Sequence, residues 1–188
     1  GKGCRTFKDP QPSFQSPIAK LVQDYPIKSC SVVAHIRQAN RGRVALENTH
    51  PFTRELWGRN WTYAHNGQLK GYKSLKTGNF HPVGETDSEK AFCWLLHRLT
   101  ERYPRTPGNM LGVFKYIATL AGELREKGVF NMLLSDGRYV MAFCSTNLHW
   151  ITRRAPFGVA KLLDQDVEID FNARPHPTMW SRLSPRSR

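Results

Sequence analysis

The hydrophobic positions of this chain change period several times, and each change marks an element. From Thr86 to Tyr103 the spacing is helical: Phe92, Leu95, Leu96, Leu99 and Tyr103 fall at i, i+3, i+4, i+7 and i+11, and Thr86 with Glu89 has the form of a capping box. A second helix is expected from about Asn109 to Lys127, with Leu111, Phe114, Leu120, Ala121 and Leu124 buried and Gly128 as its stop. Nearer the start, Ser16-Pro17 offers an N-cap and a first-turn proline to a short helix over IAKLVQDY, which Pro26 ends.

Other stretches alternate with period two. SCSVVAHIR, from Ser29 to Arg37, is rich in β-branched residues and reads as a strand with Val33, His35 and Arg37 on one face and Val32, Ala34 and Ile36 on the other. Trp61 to Ala64 reads as a strand that His65-Asn66-Gly67 ends. VFNMLLSDGRYVMAFCS predicts two strands around a Ser-Asp-Gly turn, and LHWITRR predicts a third. Strands on both sides of two consecutive helices indicate an α+β domain with a largely antiparallel sheet. Asn66-Gly67 has two readings at this level. It suits a tight hairpin turn, since both residues tolerate positive φ, and it also sets a side-chain amide beside a backbone N–H, two donors fit for a developing oxyanion.

Composition narrows the class without changing the fold. The 188 residues are 39% hydrophobic and 11% aromatic, enough for one globular core, and no apolar run approaches the roughly 20 residues of a membrane span. Neither a signal segment nor a membrane is expected, and the location expected is cytoplasmic. Cys4, Cys30, Cys93 and Cys144 are dispersed, without C-x-x-C spacing, which argues against a zinc site or a redox dithiol. The formal charge is +13; four of these charges, Arg174, Arg182, Arg186 and Arg188, crowd the last 17 residues, and +13 less these four leaves +9 over the other 171. Such scatter describes a solvated surface better than a nucleic-acid groove, so no nucleic-acid partner is expected.

Residues 172–188, NARPHPTMWSRLSPRSR, have neither period nor core-like content, and the expected domain is 1–171 followed by a disordered or frame-shifted tail. A shifted frame fits because suitable synonymous codons for PTMWSRLSPRS also encode NDVVTVIATQ, a strand-like sequence.

Four ordered segments carry more specific chemistry: AHIRQANRG (34–42), NTHPF (48–52), AHNGQL (64–69) and GETDSE (84–89). In this order they resemble the glutaminase domain of the class II glutamine amidotransferases, which are N-terminal-nucleophile hydrolases, and most closely the stand-alone bacterial YafJ-type subgroup. The resemblance covers about residues 1–171. It implies an antiparallel-sheet fold in αββα layers, incomplete at both ends here, with glutamine or a γ-glutamyl compound as substrate. It assigns Arg37 to the substrate α-carboxylate, where a bidentate guanidinium outperforms a point charge. It assigns Asp87 to the α-amino group, and Asn66 and Gly67 to the oxyanion hole. Gln38, Asn40 and Arg41 stand where an aromatic, a Thr and a His often occur in the family.

His35 and His65 lie inside the matched blocks but are expected to be packed, hydrogen-bonded structural groups. His35, His50, His65 and His81, with Glu85 and Asp87, lack the short spacing of metal ligands, so neither metal nor cofactor is expected. The family's nucleophile is an N-terminal cysteine whose own α-amine, of pKa about 8, takes the thiol proton. Cys4 stands behind Gly1-Lys2-Gly3, several bonds too far for this, so the nucleophile is expected to be missing from this chain and the chain to be inactive. The ammonia acceptor is not encoded in this stretch, leaving a plain glutaminase, an amidohydrolase or the subunit of a synthase; a homo-oligomer is neither indicated nor excluded. The alternative is a non-catalytic basic module for RNA or a protein partner, which accounts for the pI of about 10.0 but for none of the four segments.

Overall fold

The structure, a computed structural model, describes residues 3–25, 27–36, 43–152, 159–161 and 168–170. Arg37 and the 172–188 tail lie outside the described residues. The chain divides into two compact units, Gly1–Thr146 and Asn147–Arg188.

The first unit has one four-stranded antiparallel sheet in the order β1-β2-β3-β4, formed by β1 (Phe52–Leu56), β2 (Arg59–Leu69), β3 (Gly128–Ser135) and β4 (Val140–Phe143). Between β2 and β3 the chain makes α2 (Asp87–Arg102) and α3 (Met110–Arg125), which pack on β2 and β3 respectively; α1 (Pro17–Asp24) comes earlier. This is the antiparallel α+β architecture that the patterning indicates, with one helix layer against one sheet layer. In the second unit, β5 (Val159–Lys161) and β6 (Glu168–Asp170) form an antiparallel pair.

The core lies between the sheet and the two helices. On α2, Phe92, Leu95, Leu96 and Leu99 are buried as their spacing requires, and Phe92 stacks parallel on Tyr63 of β2 with centroids 4.9 Å apart. On α3 the buried stripe is Val113, Ile117, Leu120, Ala121 and Leu124. Leu111, expected inside, is 61% exposed. It lies two residues before Val113, about 200° around the helix, and its amide is capped by the Asn109 side chain.

Two strand expectations are corrected, and one strand is added. Residues 31–36 bury alternate residues, with Val33 and His35 half-buried and Val32 and Ile36 exposed, but they join no ladder. Residues 147–152 form no strand, and Trp150 is 84% exposed. The added strand is β1, FTREL, for which the patterning marks no element. Its connection to β2 is the two-residue turn Trp57-Gly58, with φ of 58° and 70° as a type I′ hairpin needs. A tryptophan is strained there, and edge contacts of its ring with Trp61 (6.0 Å) and Tyr103 (6.3 Å) compensate.

The start of α2 is held more firmly than its cap alone would hold it. Thr86 accepts the Glu89 amide at 3.1 Å, but the reciprocal half of the capping box is not made. The Glu89 side chain faces the sheet instead, 1% exposed, where its carboxylate pairs with Arg54 of β1 and accepts the Gly84 amide at 2.7 Å. Asn48 adds a second tie by accepting the Glu85 amide at 2.9 Å. Glu89→Ala should therefore destabilise the fold by about 2–4 kcal/mol, since it leaves Arg54 and the Gly84 N–H without their buried acceptor; Arg54 is partly exposed, which keeps the cost below that of a fully buried pair. Urea unfolding checks this, and Glu89→Gln should recover part of the loss through the Gly84 contact.

Candidate active site

Asn66-Gly67 is neither a turn nor a strand end. β2 runs on to Leu69, pairing Asn66 with Asn131 and Gly67 with Phe130. Gly67 has φ +146°, and a Cβ there would stand 1.8 Å from the Val129 carbonyl oxygen and 2.9 Å from His65 Nε2. Glycine is required by the close approach of two backbones.

The direction of the Gly67 amide follows from its neighbours. The Phe130 amide donates to Ser145 Oγ at 2.8 Å, so it points away from β2. In an antiparallel ladder its partner Gly67 must then point its own N–H away from β3, toward the β1 side. There β1 begins only at Phe52, opposite Tyr63, four residues short of Gly67. Leu69, of the same parity, confirms the direction: its amide donates to Asp87 Oδ2 at 2.7 Å. The Gly67 N–H and the Asp87 carboxylate therefore share one strand edge, about 7 Å apart by the two-residue repeat of a strand.

Asn66 lies on the sheet face opposite the helices, exposed, and its side chain has no hydrogen bond among the described residues. Its cross-strand neighbour Asn131 is fully engaged, accepting the Ser145 amide at 3.0 Å and donating to Thr146 Oγ1 at 2.9 Å. Asp87 is the first residue of α2, so the helix dipole favours its charge, and its Oδ1 accepts the Ser88 amide at 2.8 Å. The fold thus brings Asn66, Gly67 and Asp87 together; Arg37 lies outside the described residues.

Behind this edge sits His65, 3% exposed. Its Nδ1 meets Ser88 Oγ at 2.8 Å and its Nε2 meets the Val129 carbonyl at 3.3 Å. Burial holds the imidazole pKa below its ordinary value, and nearby His35 adds to this; the Asp87 charge and the Val129 carbonyl pull the other way. His35 stacks on His50 at 4.2 Å, and His50 meets the ring of Phe52 at 4.6 Å. Tyr63, also beneath the site, is fully buried; burial and the Asp87 charge push its phenol well above the usual range. Sequence reasoning missed Ser88 and Asn48. Both lie in the quoted segments, but their spacing gives no sign of a role.

The cysteines are placed differently. Cys4 Sγ is 3.7 Å from Thr62 Oγ1, on the same sheet face as Asn66 but four residues away, about 13 Å along the strand. Cys93 is buried in the core, where desolvation pushes its thiol up to about 11. Cys30 is exposed and Cys144 half-buried. Among the described residues no group of three His, Cys, Asp or Glu side chains is arranged to hold a metal ion, and no helix is long and apolar enough to cross a membrane.

Known proteins resemble this chain over most of its length. A family described as "Glutamine amidotransferases class-II" matches residues 1–181. The chain is 89% identical over 177 residues to "Putative glutamine amidotransferase YafJ" of Escherichia coli, covering 94% of this chain and 69% of that protein. It is 46% identical over 172 residues to a "Putative glutamine amidotransferase" of Haemophilus influenzae, covering 92% of this chain and 58% of the relative. The crystal structure of a "predicted glutamine amidotransferase" from Pseudomonas aeruginosa superposes with a TM-score of 0.65 at 47% identity, over 79% of this chain and 64% of that one. The resemblance carried by the four segments therefore holds across nearly the whole sequence, and the chain belongs to the class II glutamine amidotransferases.

Proposed function

We propose that this chain carries the site at which a class II amidotransferase hydrolyses the side-chain amide of glutamine or of a related γ-glutamyl compound. The observation that carries the reading is the shared strand edge, with the Gly67 N–H and the Asp87 carboxylate about 7 Å apart. An extended glutamine holds its amide carbonyl and α-amine roughly 5–6 Å apart by standard bond lengths, so one molecule reaches both groups. In this reading the α-ammonium pairs with Asp87, which retains acceptor capacity beyond the two amides it already serves. Arg37 takes the α-carboxylate, as the family resemblance implies.

The reaction is acyl transfer to a thiolate. An N-terminal cysteine attacks the amide carbon, and the carbonyl oxygen takes the negative charge, received by Asn66 Nδ2 and the Gly67 N–H. The C–N bond then breaks and ammonia leaves with a proton from the cysteine's α-amine. Water hydrolyses the thioester to glutamate and regenerates the thiol. Cys4 has no part in this, because its sulfur lies at Thr62, about 13 Å along the strand from Asn66.

Four outcomes are expected. L-Glutamine should raise the Tm of the chain, and Asp87→Asn, which keeps an acceptor for the Leu69 amide but removes the charge, should weaken glutamine binding by about 10–100-fold. Calorimetry reads this, and binding left intact by the substitution removes the ammonium role from Asp87. In the enzyme with its nucleophile in place, Asn66→Ala should lower kcat per folded molecule by about 100–1000-fold with little change in KM. Cys4→Ala should leave both glutamine binding and ammonia release unchanged. Ammonia release abolished by that substitution would instead make Cys4 the nucleophile.

A further inference from the structure

We propose that His65 and Ser88 form a positioning pair, a hydroxyl relay between imidazole and carboxylate that makes capture of the substrate α-ammonium by Asp87 depend on the protonation of His65. This rests on the reading of Asp87 given above and adds two residues to which that reading assigns nothing.

The hydrogen bonds define the relay. The Val129 carbonyl, 3.3 Å from His65 Nε2, can only accept, so Nε2 carries the proton of the neutral ring. Nδ1 is then an acceptor, and the Ser88 hydroxyl, 2.8 Å away, must donate to it. Ser88 Oγ is also 3.4 Å from Asp87 Oδ1, but its single hydrogen serves one partner at a time. While His65 is neutral that hydrogen is on Nδ1, and Asp87 keeps lone pairs for the substrate. When His65 takes a proton at Nδ1, the new N–H donates to Ser88 Oγ, and the hydroxyl hydrogen turns onto Asp87 Oδ1. The carboxylate is then partly satisfied from within and faces a buried imidazolium, so it holds an ammonium less tightly. By reciprocity, glutamine on Asp87 must lower the proton affinity of His65.

The surroundings set the pH window. Asp87 and Ser88 face the ring from α2, the Val129 carbonyl and the Phe130 ring (4.8 Å) from β3, and Tyr63 (6.4 Å) from β2. His35, itself stacked on His50, opposes a second positive charge from the segment before β1. The Tyr63 phenol stays neutral throughout. Burial keeps the His65 transition below the ordinary histidine value of about 6.5, so the relay operates only on the acid side of that value.

The test joins nitrogen NMR of histidine-labelled chain with calorimetry of L-glutamine. At about pH 8 His65 should show the Nε2–H tautomer, and its pKa should fall when glutamine is added. Glutamine affinity should weaken by up to about tenfold per pH unit below the His65 pKa. Ser88→Ala removes the acceptor for the Nδ1–H of the cation, so it should lower the His65 pKa further and flatten the pH dependence of glutamine binding. A protonated Nδ1 in the neutral ring overturns the relay, and this decides the matter even if Ser88→Ala fails to fold. An unchanged His65 pKa in Ser88→Ala overturns it too. Glutamine binding that stays equally tight from about pH 8 down through the measured His65 transition removes the relay and leaves the functional reading standing. No binding at pH about 8 removes that reading, and the relay with it.

Discussion

The bond from the Leu69 amide to Asp87 Oδ2 is the joint on which the candidate site depends. It connects the edge of β2 to the first residue of α2, so the distance from the carboxylate to the Gly67 N–H follows from the repeat of a strand instead of from the conformation of a loop. A loop of 17 residues separates Leu69 from Asp87, and without this bond the chain connection would hardly constrain the two groups. The bond runs from an N–H to a carboxylate and lies where the helix dipole also favours an anion, so both effects hold the side chain in this orientation.

Two further constraints protect that joint. Arg54, Glu89 and Gly84 tie the α2 entrance to β1, while Asn48 holds Glu85 and fits so closely that a Cβ on Gly84 would stand 2.3 Å from its Oδ1. On the other side of β2 the backbones of β2 and β3 close on each other at Gly67 and Gly128, where a Cβ would meet a carbonyl oxygen at 1.8 and 2.0 Å. Cross-strand packing at these positions leaves no room for side chains, so the Gly67 amide cannot drift sideways. The stability of the entrance and the aim of the donors thus come from different interactions, one electrostatic and buried, the other steric.

The polar groups beneath the edge are sorted by their acceptors. His65 is satisfied at both nitrogens, which accounts for a buried histidine in a core otherwise lined by Phe92, Phe130 and Met132. Tyr63 differs: its hydroxyl is buried with no hydrogen-bond partner among the described residues, a cost of about 1–3 kcal/mol carried directly under the site. Its ring nevertheless contributes the parallel stack on Phe92 that seats α2 on β2.

Much of this was legible in the amino-acid order alone. The inward faces of both long helices follow a 3.6-residue repeat, the Thr86 cap is a local hydrogen bond, and the four segments identify the family before any contact is known. These features depend on residues close in sequence. Tertiary structure decided the rest. Asn-Gly suits a turn and a strand interior equally well until β3 lies beside it, because the backbone freedom of glycine does not say what will occupy the space. The true hairpin, Trp57-Gly58, was hidden because its strained tryptophan is supported by rings at Trp61 and Tyr103. Glu89 has the spacing to close a capping box, yet it turns to Arg54 on another strand, and Ser88 acquires its role only when His65 is packed against it. Periodicity is a property of one segment and can be read along the chain. The direction of a donor and the partner of a buried charge are properties of the neighbours, and only the folded arrangement supplies them.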